Sequence, residues 1–320
     1  AVTDANLILG RYDPTRFAGG DLTLDASAAE AALLAAVGGP LGLESGMAAL
    51  GVIEIVDENM ANAARVHAIE SGKTFEGRTL IAFGGGGPVH ATRIAEKIGV
   101  ARVLVPSGAG VGSAIGFLRA PIGYEVVQSL YQRLDRLDVG TVNRLLAGMV
   151  EQAAAVVAEG SFGSATHERR IAYMRYVGQG HEIAVLLPAR ALATADVMTI
   201  HAAYDAEYAR FYNRPVPGSE VEIISFAVTV ATDPPPQPPR QSGGEIVHAA
   251  APVGRRKIRD TATGEIADWA VYDRDNLGVG ARFEGPAIVD ERETSSLVGA
   301  GWRGRINAEG FIELTKDHAR

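Results

Sequence analysis

The 320-residue chain carries 30 basic and 38 acidic side chains, a net charge of −8, 47% apolar residues and no cysteine. This composition excludes wholesale disorder, and the lack of cysteine excludes disulfide scaffolds, thiolate zinc sites and thiol nucleophiles. The apolar runs are short and none approaches the ~20 residues of a membrane span; nothing suggests a phosphate-backbone binder, and the mild acidity reads as solubility. No nucleic-acid or membrane partner is expected, and Ala1–Asn6 lacks a basic region followed by an apolar stretch. A cytoplasmic location is therefore expected.

In chain order, Leu43 to Gly72 predicts a long helix ending at a glycine stop. Thr79–Phe83 reads as a buried strand, Gly84–Gly87 as a turn, and Pro88–Ile98 as a helix with proline in its first turn. Arg102–Val105 predicts a second strand, closed by Pro106. Strand, glycine turn, helix, strand is α/β grammar. Asp138 N-caps a predicted helix running to Gly160. Ile171–Val177 and Glu182–Leu187 predict paired strands turned by Gly178-Gln179-Gly180. A helix near Thr194–Tyr212 and a strand at Val221–Val230 complete an α+β segment. The run Asp233-Pro234-Pro235-Pro236-Gln237-Pro238-Pro239 can be neither helix nor sheet interior. The expected division is 1–130, 131–232, a proline-rich linker at 233–244, and a β-rich domain at 245–320.

The sharpest local feature is Phe83-Gly84-Gly85-Gly86-Gly87-Pro88-Val89-His90. Consecutive glycines between a strand and a helix let bare backbone approach a ligand, with the helix N-terminus supplying free N–H groups. The competing explanation is a tight strand–helix corner. The run lacks the Lys-Ser/Thr of a P-loop and meets the Rossmann spacing only loosely. His90 falls in the first turn after the run. Ser107–Gly116 is a second small-residue loop after a strand, read either as a crevice lining or as close packing of a short helix near Gly112. Asp57, Glu58, Asn59, Asn62, Arg65, His67 and Glu70 place polar groups on several faces of the long helix. Asn59 and Asn62, with Arg65 or Val66, share one face, toward a cleft or toward solvent. The seven histidines show no zincin spacing, no Gly-x-Ser-x-Gly elbow is present, and no metal site is expected.

Several motifs together resemble the hydantoinase A/5-oxoprolinase family. Thr3-Asp4-Ala5-Asn6-Leu7-Ile8-Leu9-Gly10-Arg11 resembles its TDAN-x-x-LGR signature. Asn59-Met60-Ala61 and Ala82–Ala91 resemble its NANMA and AFGGAGP-x-HA segments. Arg175-Tyr176 with Gly178-Gln179 is similar to its RYxGQ segment, and Gly285-Pro286-Ala287-Ile288 and Gly301-Trp302 to its tail. The resemblance implies ATP-dependent enzymes that hydrolyse cyclic amides or carboxylate ketones. It also implies a nucleotide module similar to the actin, Hsp70 and sugar-kinase superfamily, built from two ribonuclease-H-like halves. Residues 1–130 would form the second half, on the adenosine side. Gly84, Gly85, Gly86, Gly87, Pro88, His90 and Asn59 would be the cofactor-binding residues, with ATP and Mg²⁺ as cofactors.

The family's DxGGTxTD-like phosphate loop and its second acidic, glycine-rich phosphate loop do not occur in this sequence. The chain therefore resembles a C-terminal half. Its expected partners are an N-terminal half carrying the phosphate loops, a second large subunit of the hydantoinase B type, and a small-molecule substrate. The metal would be held mainly by groups outside the chain, which alone is expected to turn over neither ATP nor substrate. The alternatives are a ketone carboxylase of the acetone or acetophenone type, toward which Gly110–Phe117 and Ala120–Glu125 lean, and a scaffolding subunit with an idle nucleotide loop. Arg175, Tyr176, Gln179 and Glu182 either contact a substrate or partner or stabilise their hairpin; Glu291 and Glu293 are undecided. No residue is singled out as catalytic.

Overall fold

A computed structural model describes residues 1–236 and 246–316. In chain order the helices are α1 (Val2–Ile8), α2 (Ala26–Leu33), α3 (Gly39–Leu41), α4 (Ser45–Glu70), α5 (Gly87–Ile98), α6 (Gly112–Arg119), α7 (Val139–Ser161) and α8 (Asp196–Tyr212). The strands are β1 (Leu80–Ile81), β2 (Arg102–Val105), β3 (Gly123–Arg133), β4 (Thr166–Tyr176), β5 (Ile183–Leu187), β6 (Val221–Thr232) and β7 (His248–Ala249). After these come β8 (Gly254–Arg259), β9 (Ile266–Asp273), β10 (Ala281–Glu284), β11 (Ala287–Asp290), β12 (Ser295–Val298), β13 (Trp302–Ile306) and β14 (Ile312–Lys316). Among the described residues no single helix is long and apolar enough to cross a membrane.

The chain divides into two compact units. One joins Ala1–Leu118 to the chain from Pro238 onward, and the other is Arg119–Gln237. This partition differs from the divisions expected at 130, 232 and 245. The cause lies in β14, whose Ile312 to Thr315 pair antiparallel with Val105 to Arg102 of β2. The late strands thereby complete a sheet begun by the early ones, in the order β1-β2-β14-β13-β10-β7. Val103, Val105, Trp302, Ile306, Ile312 and Leu314 are buried at alternating positions along these strands. They share one core with Ala91 and Ala95 of α5. A second sheet, β12-β11-β9-β8, sends Trp269, Ile288 and Leu297 into a cluster with Leu7, Tyr12 and Val89. Positions 237–244 of the expected linker lie outside the described residues.

The continuous unit is the sheet β3-β6-β4-β5 packed against α7 and α8. On α7, Val142, Leu146, Met149, Ala153 and Val157 recur at helical spacing and are buried. They meet Ile200 and Tyr204 of α8 and Met174, Val185, Phe226 and Val228 of the sheet. Asp138 caps α7 by accepting from the Thr141 N–H at 3.0 Å. The paired strands expected around Gly178–Gly180 are β4 and β5, with Ala172 opposite Val185. Strand β3 crosses the boundary expected at 130. It lies at the sheet edge with only Val126 buried, so it carries little apolar alternation.

Candidate functional site

The glycine run forms the corner between β1 and α5. Only Gly84 has a backbone that demands glycine, at φ +95°. Gly86 and Gly87 would each accept a Cβ with no atom within 4 Å, and at Gly85 the nearest atom is the Glu293 carbonyl oxygen at 3.6 Å. A tight corner therefore accounts for one glycine of the four. The other three keep an open backbone surface ahead of the α5 N-terminus, where Pro88 occupies the first turn. The Gly84 N–H donates to the Ala109 carbonyl at 2.7 Å, fastening the run to the second small-residue loop. In that loop α6 does begin at Gly112, against Phe83.

Gly85 borders a cleft of about 380 Å³. One wall is the segment after α1, with Tyr12, Asp13, Arg16 and Phe17. Tyr12 and Phe17 meet edge to face at 5.5 Å. The opposite wall is the turn between β11 and β12, Asp290 to Ser295. This turn is closed by the Glu291 N–H donating to the Thr294 carbonyl, and tied to the glycine run by the Thr294 hydroxyl donating to the Gly85 carbonyl at 2.9 Å. A second cleft of about 680 Å³ shares Arg16 and Asp290 to Glu293 and adds Ser107, Gly108 and Arg274. Gly110 lies so close to Glu293 that a Cβ there would sit 2.7 Å from its main chain.

The first cleft is lined by five carboxylates, Asp13, Asp21, Asp290, Glu291 and Glu293, against the guanidiniums of Arg16 and Arg292. Asp290 is committed, accepting from Arg256 at 2.6 Å and from Ser295 at 2.8 Å. Arg16 pairs with Asp273 at 2.9 Å. Glu291 is different: its Oε1 is buried with no hydrogen-bond partner. Burial pushes this carboxyl up to about 7; Arg274 opposes the rise, and Glu293 and Asp275 reinforce it. Arg274 itself donates to the carbonyls of Leu277 and Gly310. Among the described residues, no group of three or more His, Asp or Glu is arranged to hold a metal ion.

His90 lines neither cleft; it is buried between Asp57 and Asn6. Asn59 is exposed on α4 and also lines neither. Its neighbour Asn62 accepts from Arg65 at 2.6 Å, and Arg65 also binds Glu58 at 2.8 Å. The RYxGQ residues hold their own unit together. Arg175 pairs with buried Glu222 at 2.8 Å, the Tyr176 hydroxyl accepts from the Val216 N–H at 2.9 Å, and Gln179 donates to the Tyr208 hydroxyl at 2.9 Å. Trp302 is a core anchor donating to Glu96 at 2.9 Å. Sequence reasoning missed the wall of Tyr12, Asp13, Arg16 and Phe17. Its one available signal was the polar run that directly follows the first helix.

These features define a mixed α/β protein whose glycine turn, at a helix N-terminus, opens onto an acid-rich cleft. The chain belongs to the hydantoinase/oxoprolinase family: the family's sequence model matches residues 1–126, and that of its C-terminal domain matches residues 142–317. It is 30% identical to caprolactamase subunit alpha of Pseudomonas jessenii, over 99% of this chain and 46% of that protein. It is 30% identical to the acetophenone carboxylase gamma subunit of Aromatoleum aromaticum, over 98% and 44%. The structure of the P. jessenii ATP-dependent caprolactamase superposes with a TM-score of 0.73 at 30% identity, covering 99% of this chain and 47% of that one. Nucleotide-free acetone carboxylase gives 0.71 at 26% identity, covering 99% and 46%. The chain thus spans about half the length of the curated relatives it matches.

Proposed function

We propose that this chain is the nucleoside-side half of an ATP-dependent enzyme that activates a carbonyl oxygen to open a cyclic amide. The observation that carries the reading is the glycine run: three of its four glycines have no conformational or packing reason within the described residues, yet they leave bare backbone at a helix N-terminus, and one of them, Gly85, borders a cleft. The residues fit the nucleoside end of the cofactor better than its phosphates. Gly85 at the cleft, with Gly86 and Gly87 beside it, gives close backbone approach, Tyr12 and Phe17 give an apolar wall, and the carboxylates outnumber the cations. Carboxylates suit ribose hydroxyls and a base amino group and repel phosphate. Bound ATP would supply phosphoryl activation of the substrate oxygen. The residues of this chain would orient the nucleoside and exclude water around it.

In this reading the fold is the second ribonuclease-H-like half of an actin- and Hsp70-like module. The phosphate loops and the groups that grip Mg²⁺ belong to an N-terminal half, and a second large subunit completes the enzyme. A ketone carboxylase is the second reading; it rests on the equal identity to the acetophenone carboxylase subunit. The test is calorimetric titration of the complex purified from its native source with ADP and, separately, NAD. ADP should bind and NAD should not, and Gly86→Ala, which the fold accommodates, should weaken ADP by roughly tenfold through lost backbone approach. A complex that binds no ADP, or a Gly86→Ala variant that binds it as well as wild type, overturns the reading.

A further inference from the structure

Four buried polar side chains form a relay that the cleft itself does not use. Arg11, Asn6, His90 and Asp57 are 3%, 1%, 5% and 0% exposed. Arg11 donates to Asn6 Oδ1 at 3.1 Å, the Asn6 amide nitrogen lies 3.3 Å from His90 Nε2, and His90 Nδ1 lies 2.6 Å from Asp57 Oδ1. A second Arg11 nitrogen donates to the Thr261 hydroxyl at 3.1 Å. Proton directions follow from the ends. A guanidinium can only donate, so it fixes the Asn6 oxygen toward itself and turns the Asn6 amide N–H toward the imidazole. His90 Nε2 must then accept, and Nδ1 carries the proton donated to Asp57.

The relay links the segment that leads into one wall of the cleft to the helix behind the glycine run. Arg11 immediately precedes Tyr12 and Asp13 in one wall, and His90 sits in the first turns of α5, directly behind Gly84–Gly87. Asp57 anchors it in the middle of α4. An apolar contact at this place would tolerate sliding; a directional chain of hydrogen bonds specifies one register. We propose that His90, Asn6 and Arg11 are positioning residues that set the separation between the Tyr12–Phe17 wall and the glycine run, and so the affinity of the cleft for a nucleoside they never touch. The affinity part rests on the nucleotide reading; the positioning part does not.

Two near-isosteres divide the relay. His90→Gln keeps an acceptor for Asn6 and gives up Asp57, whereas His90→Asn keeps a donor to Asp57 and gives up Asn6 with Arg11 behind it. In amide hydrogen exchange, His90→Asn should accelerate exchange in the peptides covering both 12–18 and 84–87 and weaken ADP by roughly tenfold, while His90→Gln stays close to wild type at 12–18. Acceleration confined to α5, or equal behaviour of the two variants, overturns the proposal. A wild-type protein that binds no ADP defeats the nucleotide reading, and the exchange data still decide positioning. Should His90→Asn fail to fold, ¹⁵N NMR of wild-type histidines decides instead. A proton on Nδ1 and a bare Nε2 at His90 are required, and the opposite tautomer overturns the relay.

Discussion

Glu291 sits at the junction of the two clefts with a buried, unpartnered oxygen and a carboxyl lifted to about 7. In the unfolded chain the same group titrates at its ordinary value of 4.5. Between pH 4.5 and 7 the folded protein therefore holds a proton that the unfolded chain has released. Stability should fall as pH rises through that window and then level off. Glu291→Gln removes the liability. It should raise stability by about 3 kcal/mol at pH 8 and leave it nearly unchanged at pH 4, as read by urea denaturation at the two values. Equal stabilisation at both pH values would show that something other than proton release is at work. At this scale the sequence was legible where a residue type has one dominant physical use, as at Asp138. It was not legible at His90 or Trp302, whose partners lie 33 and 206 residues away in the chain. The glycine run was half legible: four glycines announce bare backbone, but only coordinates show that packing and turn geometry need just one of them.

Helices and strands follow their apolar periods closely wherever one face is buried. The segment from α7 to β6 illustrates this, because each of its elements feeds a single core. Between those elements one side chain does much of the joining. Asn143 of α7 donates to the Leu192 carbonyl at 2.9 Å and accepts from the Leu192 N–H at 2.8 Å, pinning the connection between β5 and α8. Leu192 is buried, so Asn143→Ala would leave both its main-chain groups unpaired, at a cost of about 2 kcal/mol. Thermal denaturation should show this as a lower midpoint; an unchanged midpoint would mean that solvent reaches Leu192. Strand β3 was illegible because an edge strand exposed along most of its length lacks the alternation that announces strands. The Arg175-Tyr176 motif was ambiguous for a different reason. Polar residues beside a turn look alike whether they face a ligand or, as here, Glu222 and Val216.

The two compact units differ in how the chain supplies them. Arg119–Gln237 is continuous and carries its own core, so a fragment of residues 119–236 should fold alone. Circular dichroism with a cooperative melt, together with a dispersed NMR spectrum, would establish this. The fragment 1–118 should fail the same test, because β2 would lose its β14 partner and α5 most of the core it shares with β9–β14. A folded 1–118 fragment would show that β14 is dispensable. The sequence could not reveal this interleaving. Composition and proline placement mark where the chain leaves one layer, but not which earlier layer it re-enters.

That interleaving has a consequence for how the protein is made. Once β2 has left the ribosome, about 200 further residues must be synthesised before β14 can pair with it. At ~5–20 residues per second, the edge of β2 and the apolar face of α5 wait on the order of 10–40 s without their partner. The continuous unit has time to form within that interval. The early segment passes the same interval as a nascent sheet edge, the state most open to mispairing and to chaperone capture.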